Sequence, residues 1–247
     1  MTTARAALPP PARAALLLDL DGTLLDIAPT PDSVVVPPGL IASLHGLRAR
    51  LGDAVAVISG RPVEQVDALL DAASYAVSGE HGGATRFAPG AMPTHEQLPS
   101  VPTDWREQAA RFAAAHPGVL LEHKTRGFGL HYRAVPALGA TVHDALAALV
   151  AESPDFALLQ GHKVWEVRPR GAHKGTAVAA LMARKPFAGR LPIYIGDDVT
   201  DEDAIAVAEA MGGAGLRVAD DFTDPAGVRA WLAAAARDAD MERWPER

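Results

Sequence analysis

Short apolar runs that stop abruptly at polar loops recur along the chain, and they restrict its fold more than any other feature. Ala14-Ala15-Leu16-Leu17-Leu18 gives way to Asp19-Leu20-Asp21-Gly22-Thr23, and Ala54-Val55-Ala56-Val57-Ile58 to Ser59-Gly60-Arg61-Pro62. Leu191 to Ile195 does the same before Gly196-Asp197-Asp198. Unbroken runs of this length are expected of strands covered on both faces. Helical spacing separates them: Leu40, Ile41, Leu44, Leu47 and Leu51 recur on one face, with Gly52 placed as a C-cap, and Lys174 opens another helix. Tyr75 to Ser78 and Gly215 to Val218 read as further strands, and Pro225 to Arg237 as a final helix. Thr200 with Asp203 resembles a capping pair. Alternation of this kind predicts an α/β fold with a doubly wound, Rossmann-like parallel-sheet core.

The rhythm breaks in the middle. Ala88 to Pro102 carries Pro89, Gly90, Pro93, Pro99 and Pro102, which reads as a linker. Beyond it come a helix over 103–116, strands over 119–124 and 127–133, a second helix over 137–152, and strands over 156–159 and 163–167. Two helix-strand-strand units in tandem predict an inserted smaller α+β domain. The expected domains are therefore 1–85 for the first part of the core, 86–167 for the α+β insert and 168–247 for the second part of the core. Arg168-Pro169-Arg170-Gly171 is the return hinge.

Composition narrows the function. A net charge of −7 argues against a nucleic-acid surface. The absence of cysteine excludes disulfides, zinc-thiolate sites and thiol nucleophiles. Met1 to Arg13 is alanine- and proline-rich and expected to fray, and Asp19 cuts the next apolar stretch too short for a signal segment or membrane span. A cytoplasmic, monomeric protein is the default expectation. Residues 86–167 hold 7 Lys/Arg, 8 Asp/Glu and six of the nine histidines, whereas the remainder holds 16 and 22. A near-neutral, histidine-rich insert beside an acidic core suits a polar, phosphorylated small substrate.

Asp19 and Asp21 converge once the chain turns at Gly22, and Asp197 and Asp198 arrive at the same sheet edge. Four carboxylates there repel unless a cation relieves them, and a hard divalent ion takes oxygen ligands. Taken singly these residues have plainer readings, since strand-end carboxylates and Ser59 also cap helices. Lys174 at a helix start is disfavoured by the helix dipole, which points to an anionic partner. Ser59 and the backbone N–H groups after it make a phosphate cradle. In the insert, Phe128, Leu130 and Tyr132 share one strand face, His131 and Arg133 the other. Arg133 serves equally as a solvated strand-end charge. Glu122 and Lys124 share a face and can pair with each other. Lys163 and Glu166, three apart, reach a common ligand only if their strand twists or bulges. His81 either touches a ligand or packs a linker.

Together these residues resemble the haloacid dehalogenase superfamily of phosphatases, whose four signatures occur in order. They are Asp19-Leu20-Asp21-Gly22-Thr23-Leu24, Ser59, Lys174, and Gly196-Asp197-Asp198 with Asp201. Within it the chain is similar to the trehalose-6-phosphate phosphatases, through Ser59-Gly60-Arg61, Gly79-Glu80-His81-Gly82, His131-Tyr132-Arg133, Lys163 to Pro169, Lys174-Gly175, and Gly196 to Glu202. The resemblance implies that the insert over 86–167 is an α+β cap domain, and that the chain is an Mg²⁺-dependent phosphatase that hydrolyses trehalose 6-phosphate through an aspartyl-phosphate, completing trehalose synthesis. It implies Asp19 as nucleophile, Asp21 as acid/base and Lys174 as catalytic cation, with Thr23, Ser59, Gly60 and Arg61 on the phosphate. Asp19, Asp21 and Asp197 would hold the metal, backed by Asp198 and Asp201. Glu122, Lys124, His131, Arg133, Lys163 and Glu166 are the candidates for touching the sugar. A phosphatase of another phosphosugar or sugar-phosphoglycerate, a phosphomutase and a non-catalytic phosphosugar-binding regulator remain as alternatives.

Overall fold

The structure, a computed structural model, describes residues 7–71, 75–88, 90–95, 98–238 and 240–247. The chain forms two compact units, one of residues 1–96 and 173–247, the other of residues 97–172.

The larger unit is built on a seven-stranded sheet. Strands β1 (Ala14–Leu18), β2 (Val55–Ile58) and β3 (Ala76–Gly79) run parallel, and every residue in them is buried, so both sheet faces are covered. This is why these segments read as continuous apolar runs. Helices α1 (Leu40–Arg50) and α2 (Val63–Leu70) connect them. Gly52, at φ +56°, ends the α1 turn in the left-handed region, one residue beyond the C-cap Leu51. Two antiparallel strands then extend the sheet, β4 (Ala84–Arg86) and β5 (Thr94–His95), the second inside the segment expected to be a linker. Arg86 fixes β4 by a bidentate bond to Asp67 of α2 and a bond from Nε to the Tyr75 carbonyl.

The smaller unit follows: α3 (Thr103–Ala115), β6 (Leu120–His123), β7 (Phe128–His131), α4 (Gly139–Val150), β8 (Phe156–Gly161) and β9 (Val164–Pro169). Its antiparallel sheet has the order β6-β7-β9-β8. Phe128, Leu130, Val167, Val142 and Leu146 pack together on the covered face. Arg106 of α3 donates to the carbonyls of Lys124, Thr125 and Gly127, closing the β6–β7 turn. The unit ends at Ala172 because β9 runs through to Pro169, past the expected boundary at 167. At its start, β5 belongs to the core sheet, which puts the division after Glu96 and not after 85.

The chain re-enters the large sheet with α5 (Lys174–Met182), β10 (Leu191–Gly196), α6 (Glu202–Ala210), β11 (Ala214–Arg217) and α7 (Pro225–Arg237). The sheet order is β11-β10-β1-β2-β3-β4-β5, so β10 lies directly beside β1. The chain winds outward from β1 in one direction, then returns to wind outward in the other. The expected α/β class, with a doubly wound parallel core and an inserted α+β segment, is what the molecule adopts. Two local expectations are corrected. The turn before α6 is capped by Asp198 with Asp201, not Thr200 with Asp203, because Asp198 is the residue with extended backbone at the head of the Val199–Asp201 turn. Residues 7–13 are not frayed: Leu8 packs on the core and Trp244 Nε1 donates to the Pro9 carbonyl. Met1 to Ala6 lie outside the described residues.

Candidate active site

Where the winding direction reverses, between β1 and β10, the two strands' following loops separate and leave a crevice at their carboxyl ends. Asp19 follows β1 and Asp197 follows β10. Asp19 is nearly buried, with its backbone N–H on the Ile195 carbonyl of β10. Thr23 Oγ1 lies 3.2 Å from both Asp19 Oδ2 and Asp197 Oδ1 and spans the two carboxylates. Gly22 makes this approach possible. Its φ is +85°, and a Cβ there would run into the Asp197 carboxylate.

Lys174, the first residue of α5, sends Nζ to Asp19 Oδ1 at 2.6 Å and to Asp201 Oδ1 at 2.7 Å. Its anionic partners are thus two buried carboxylates, which together hold its ammonium well above the ordinary lysine range against burial. Asp201 is saturated with donors. Oδ1 also accepts from Tyr194 Oη at 2.5 Å, and Oδ2 accepts the backbone N–H groups of Asp197 and Asp198. Burial disfavours its charge, yet Lys174, Tyr194 and the Asp198 amide hold its carboxyl below the usual range. Tyr194 was invisible as a site residue in the sequence. The available signal was a lone phenol in an apolar strand, since a buried tyrosine hydroxyl needs a partner.

Asp19, Asp197 and Asp201 bring ligand atoms within 4.8 Å of one another. Burial and the carboxylates of Asp201 and Asp197 push Asp19 well above the normal carboxylate range, with Lys174 opposing. Burial and Asp201 likewise push Asp197 up to about 6. Three carboxylates thus face one ammonium. A set of hard oxygen donors with excess negative charge fits a divalent cation. Asp201 has spent its oxygens on four donors, which leaves Asp19 and Asp197 as the carboxylates open to an ion. Asp198 instead caps the following turn through Val199 N–H.

Strand β2 ends at Ile58, directly before Ser59. Ser59 Oγ accepts the Arg61 N–H, and the Arg61 guanidinium is engaged on Asp21. His81 sits against Gly60, whose Cβ would fall 2.7 Å from the imidazole Nε2.

In the smaller unit, Glu122, Gly129 and Glu166 form one cross-strand row, and Lys124 and His131 project from the same sheet face. Lys124 pairs with Glu166 at 2.8 Å, and His131 Nε2 lies 2.8 Å from Glu122 Oε2. Two close cross-strand pairs thus form on this face, and Lys124 also acts on Glu122 through its charge. Burial raises the Glu122 carboxyl, but Lys124 and His131 more than offset this and hold it below normal. Gly129, without a side chain, leaves room between the two glutamates. Lys163 is in the β8–β9 turn at φ +64° and not in the strand, so the face argument does not apply to it. Arg133 donates to the His162 carbonyl of that turn.

Fold and site together define an α/β protein whose sheet switch point carries a cation-ready carboxylate cluster neutralised in part by a buried lysine. The C-terminal domain of a trehalose-6-phosphate phosphatase from C. albicans shares the fold, with a TM-score of 0.76 and 22% identity over 91% of this chain and 92% of that one. The family model described as trehalose-phosphatase matches residues 17–224. A probable trehalose-phosphate phosphatase of Sinorhizobium fredii is 41% identical over 208 residues, 83% of this chain and 77% of its own. The trehalose-6-phosphate phosphatase of Escherichia coli is 37% identical over 207 residues, 84% and 78% respectively. The chain belongs to the trehalose-phosphatase family. No described helix is long and apolar enough to cross a membrane.

Proposed function

We propose that the protein is a Mg²⁺-dependent phosphatase that hydrolyses trehalose 6-phosphate to trehalose and phosphate. The observation that carries this reading is the Asp19–Lys174–Asp197 constellation at the switch point of the sheet, in a chain of this family. Asp19 attacks phosphorus in line as its bond to the sugar oxygen breaks, and Asp21 protonates that oxygen. Asp21 then takes a proton from water as the water attacks the aspartyl-phosphate. Lys174, Thr23, Ser59 and the Gly60-Arg61 backbone hold phosphoryl oxygens. Asp19, Asp197 and the Asp21 carbonyl would hold Mg²⁺, which supplies charge neutralisation on those oxygens. Asp198 and Asp201 support them from behind. Glu122, Lys124, His131, Arg133, Lys163 and Glu166 form the sugar-recognition set, and residues 97–172 act as the cap.

Phosphate release from a panel of sugar phosphates, with and without Mg²⁺, tests the reading. Turnover of another phosphosugar with trehalose 6-phosphate untouched would overturn the substrate. Isomerised sugar phosphate without free phosphate would indicate a mutase.

The sugar-recognition set makes its own prediction. Arg133→Ala and Glu166→Gln should lower kcat/KM for trehalose 6-phosphate by about one to two orders of magnitude each, the worth of a hydrogen bond to a charged group. Turnover of p-nitrophenyl phosphate should survive, because these groups would touch only the sugar. Glutamine is chosen at 166 because it keeps the size and hydrogen-bonding oxygen of the side chain that meets Lys124. Equal losses on both substrates would point to a folding defect instead.

A further inference from the structure

The Gly79-Glu80-His81-Gly82 loop after β3 is buried in a conformation that side chains rarely adopt. Glu80 and His81 lie in the left-handed region at φ +51° and +57°, and neither is exposed. Such strain persists only where the surroundings enforce it, and it gathers at functional sites. On one side the loop is fastened to the segment after β2. The Glu80 N–H donates to the Arg61 carbonyl and the His81 N–H to the Ser59 carbonyl, each at 3.0 Å. On the other side it lies against the start of α5, where a Cβ on Gly82 would come 3.2 Å from both the His173 carbonyl oxygen and Thr176 Oγ1. The loop therefore spans the two elements that carry Ser59 and Lys174.

Between those fastenings the imidazole is laid on Gly60. A Cβ built on Gly60 would fall 2.7 Å from His81 Nε2 and 2.8 Å from Cε1, and its three nearest atoms all belong to that ring. Gly60 is not itself left-handed, so the imidazole, and not a strained backbone, is what bars a side chain there. Glycine is the loosest residue a chain offers, and an anion held by backbone N–H groups loses affinity to the cost of ordering it. The ring fills the space a β-carbon would take and so limits Gly60 from outside. Resting on the phosphatase reading, we infer that His81 is a positioning residue of the phosphoryl site, holding the Gly60 backbone in its anion-binding shape before the ligand arrives. It acts by shape, and the role asks nothing of its charge.

Calorimetric titration of orthophosphate into the protein in Mg²⁺ buffer reads this directly and needs no turnover. His81→Ala should weaken phosphate binding about tenfold, the size of the freedom returned to one residue's backbone. Gly60→Ala should weaken it about as much, because the new Cβ meets the ring. With both substitutions the Cβ has room and restrains the backbone in place of the ring. The double variant should then bind phosphate at least about threefold more tightly than His81→Ala alone, a reversal that a residue serving only to pack would not produce. Mg²⁺ affinity should move by less than about threefold throughout. His81→Asn provides a second variant should the alanine protein fold poorly. Asparagine suits the left-handed backbone but is too short to cover Gly60, so the same loss is expected. Losses that multiply in the double variant, an unchanged affinity in His81→Ala, or Mg²⁺ binding that falls in step with phosphate would each overturn the inference. A parent protein that binds orthophosphate but releases none from any ester would overturn the phosphatase reading instead, and the reversal at Gly60 would still be measured.

Discussion

Replacing Asp19 by asparagine is expected to lower turnover of trehalose 6-phosphate by about four to six orders of magnitude, as removal of a nucleophile does elsewhere. The amide nitrogen and carbonyl oxygen cannot form the aspartyl-phosphate. The fold should survive. Lys174 keeps its second partner, Asp201, at 2.7 Å, and the crowded carboxylates lose one charge. The melting temperature should therefore hold or rise while phosphate release disappears. Beryllium fluoride should attach to Asp19 in the parent protein and to nothing in the variant. Near-parental turnover, or a mimic on a different residue, would remove Asp19 from the mechanism.

Asp197→Ala should weaken Mg²⁺ binding by at least about a hundredfold, more than is lost with a residue that only supports a ligand. Chelator should silence the parent reversibly, and calcium should inhibit through its longer, looser coordination. The pH dependence has a definite sign. Burial and Asp201 push Asp197 up to about 6, so below that pH an arriving cation must expel a proton. Apparent affinity should then fall as pH decreases through this range, by up to about tenfold per unit for the Asp197 proton alone. Titration calorimetry on the parent and the variant measures both effects. Full activity in excess chelator would refute the metal assignment.

The legibility of this chain followed the range of its interactions. β1, β2 and β10 are buried on both faces, so each is an apolar run with its loop at a visible end, and Asp19, Ser59 and Asp197 could be placed from that alone. Pro225 opens α7 and marked its start locally; the structure adds Asp224 as its cap, accepting the Gly227 N–H. β4 and β5, three and two residues long, are too short for periodicity and are held by the antiparallel ladder and by Arg86. Pairings that depend on register or on a distant loop were equally out of reach. Lys124 pairs closely with Glu166 across the sheet, and Arg61 meets Asp21 across forty positions of sequence. The turn before α6 misled because both Thr200–Asp203 and Asp198–Asp201 have capping spacing, and only backbone geometry chooses between them.

Loops that present ion ligands are commonly among the least stable parts of a protein and gain order only when the ion arrives. The segment after β10 differs, because its backbone amides at 197 and 198 both rest on the Asp201 carboxylate, itself tied to α5 through Lys174 and to β10 through Tyr194. Its shape is set at folding. A cation arriving here would find the segment already shaped, so the expected limit on its exchange is the shedding of water from the ion and not motion of the chain.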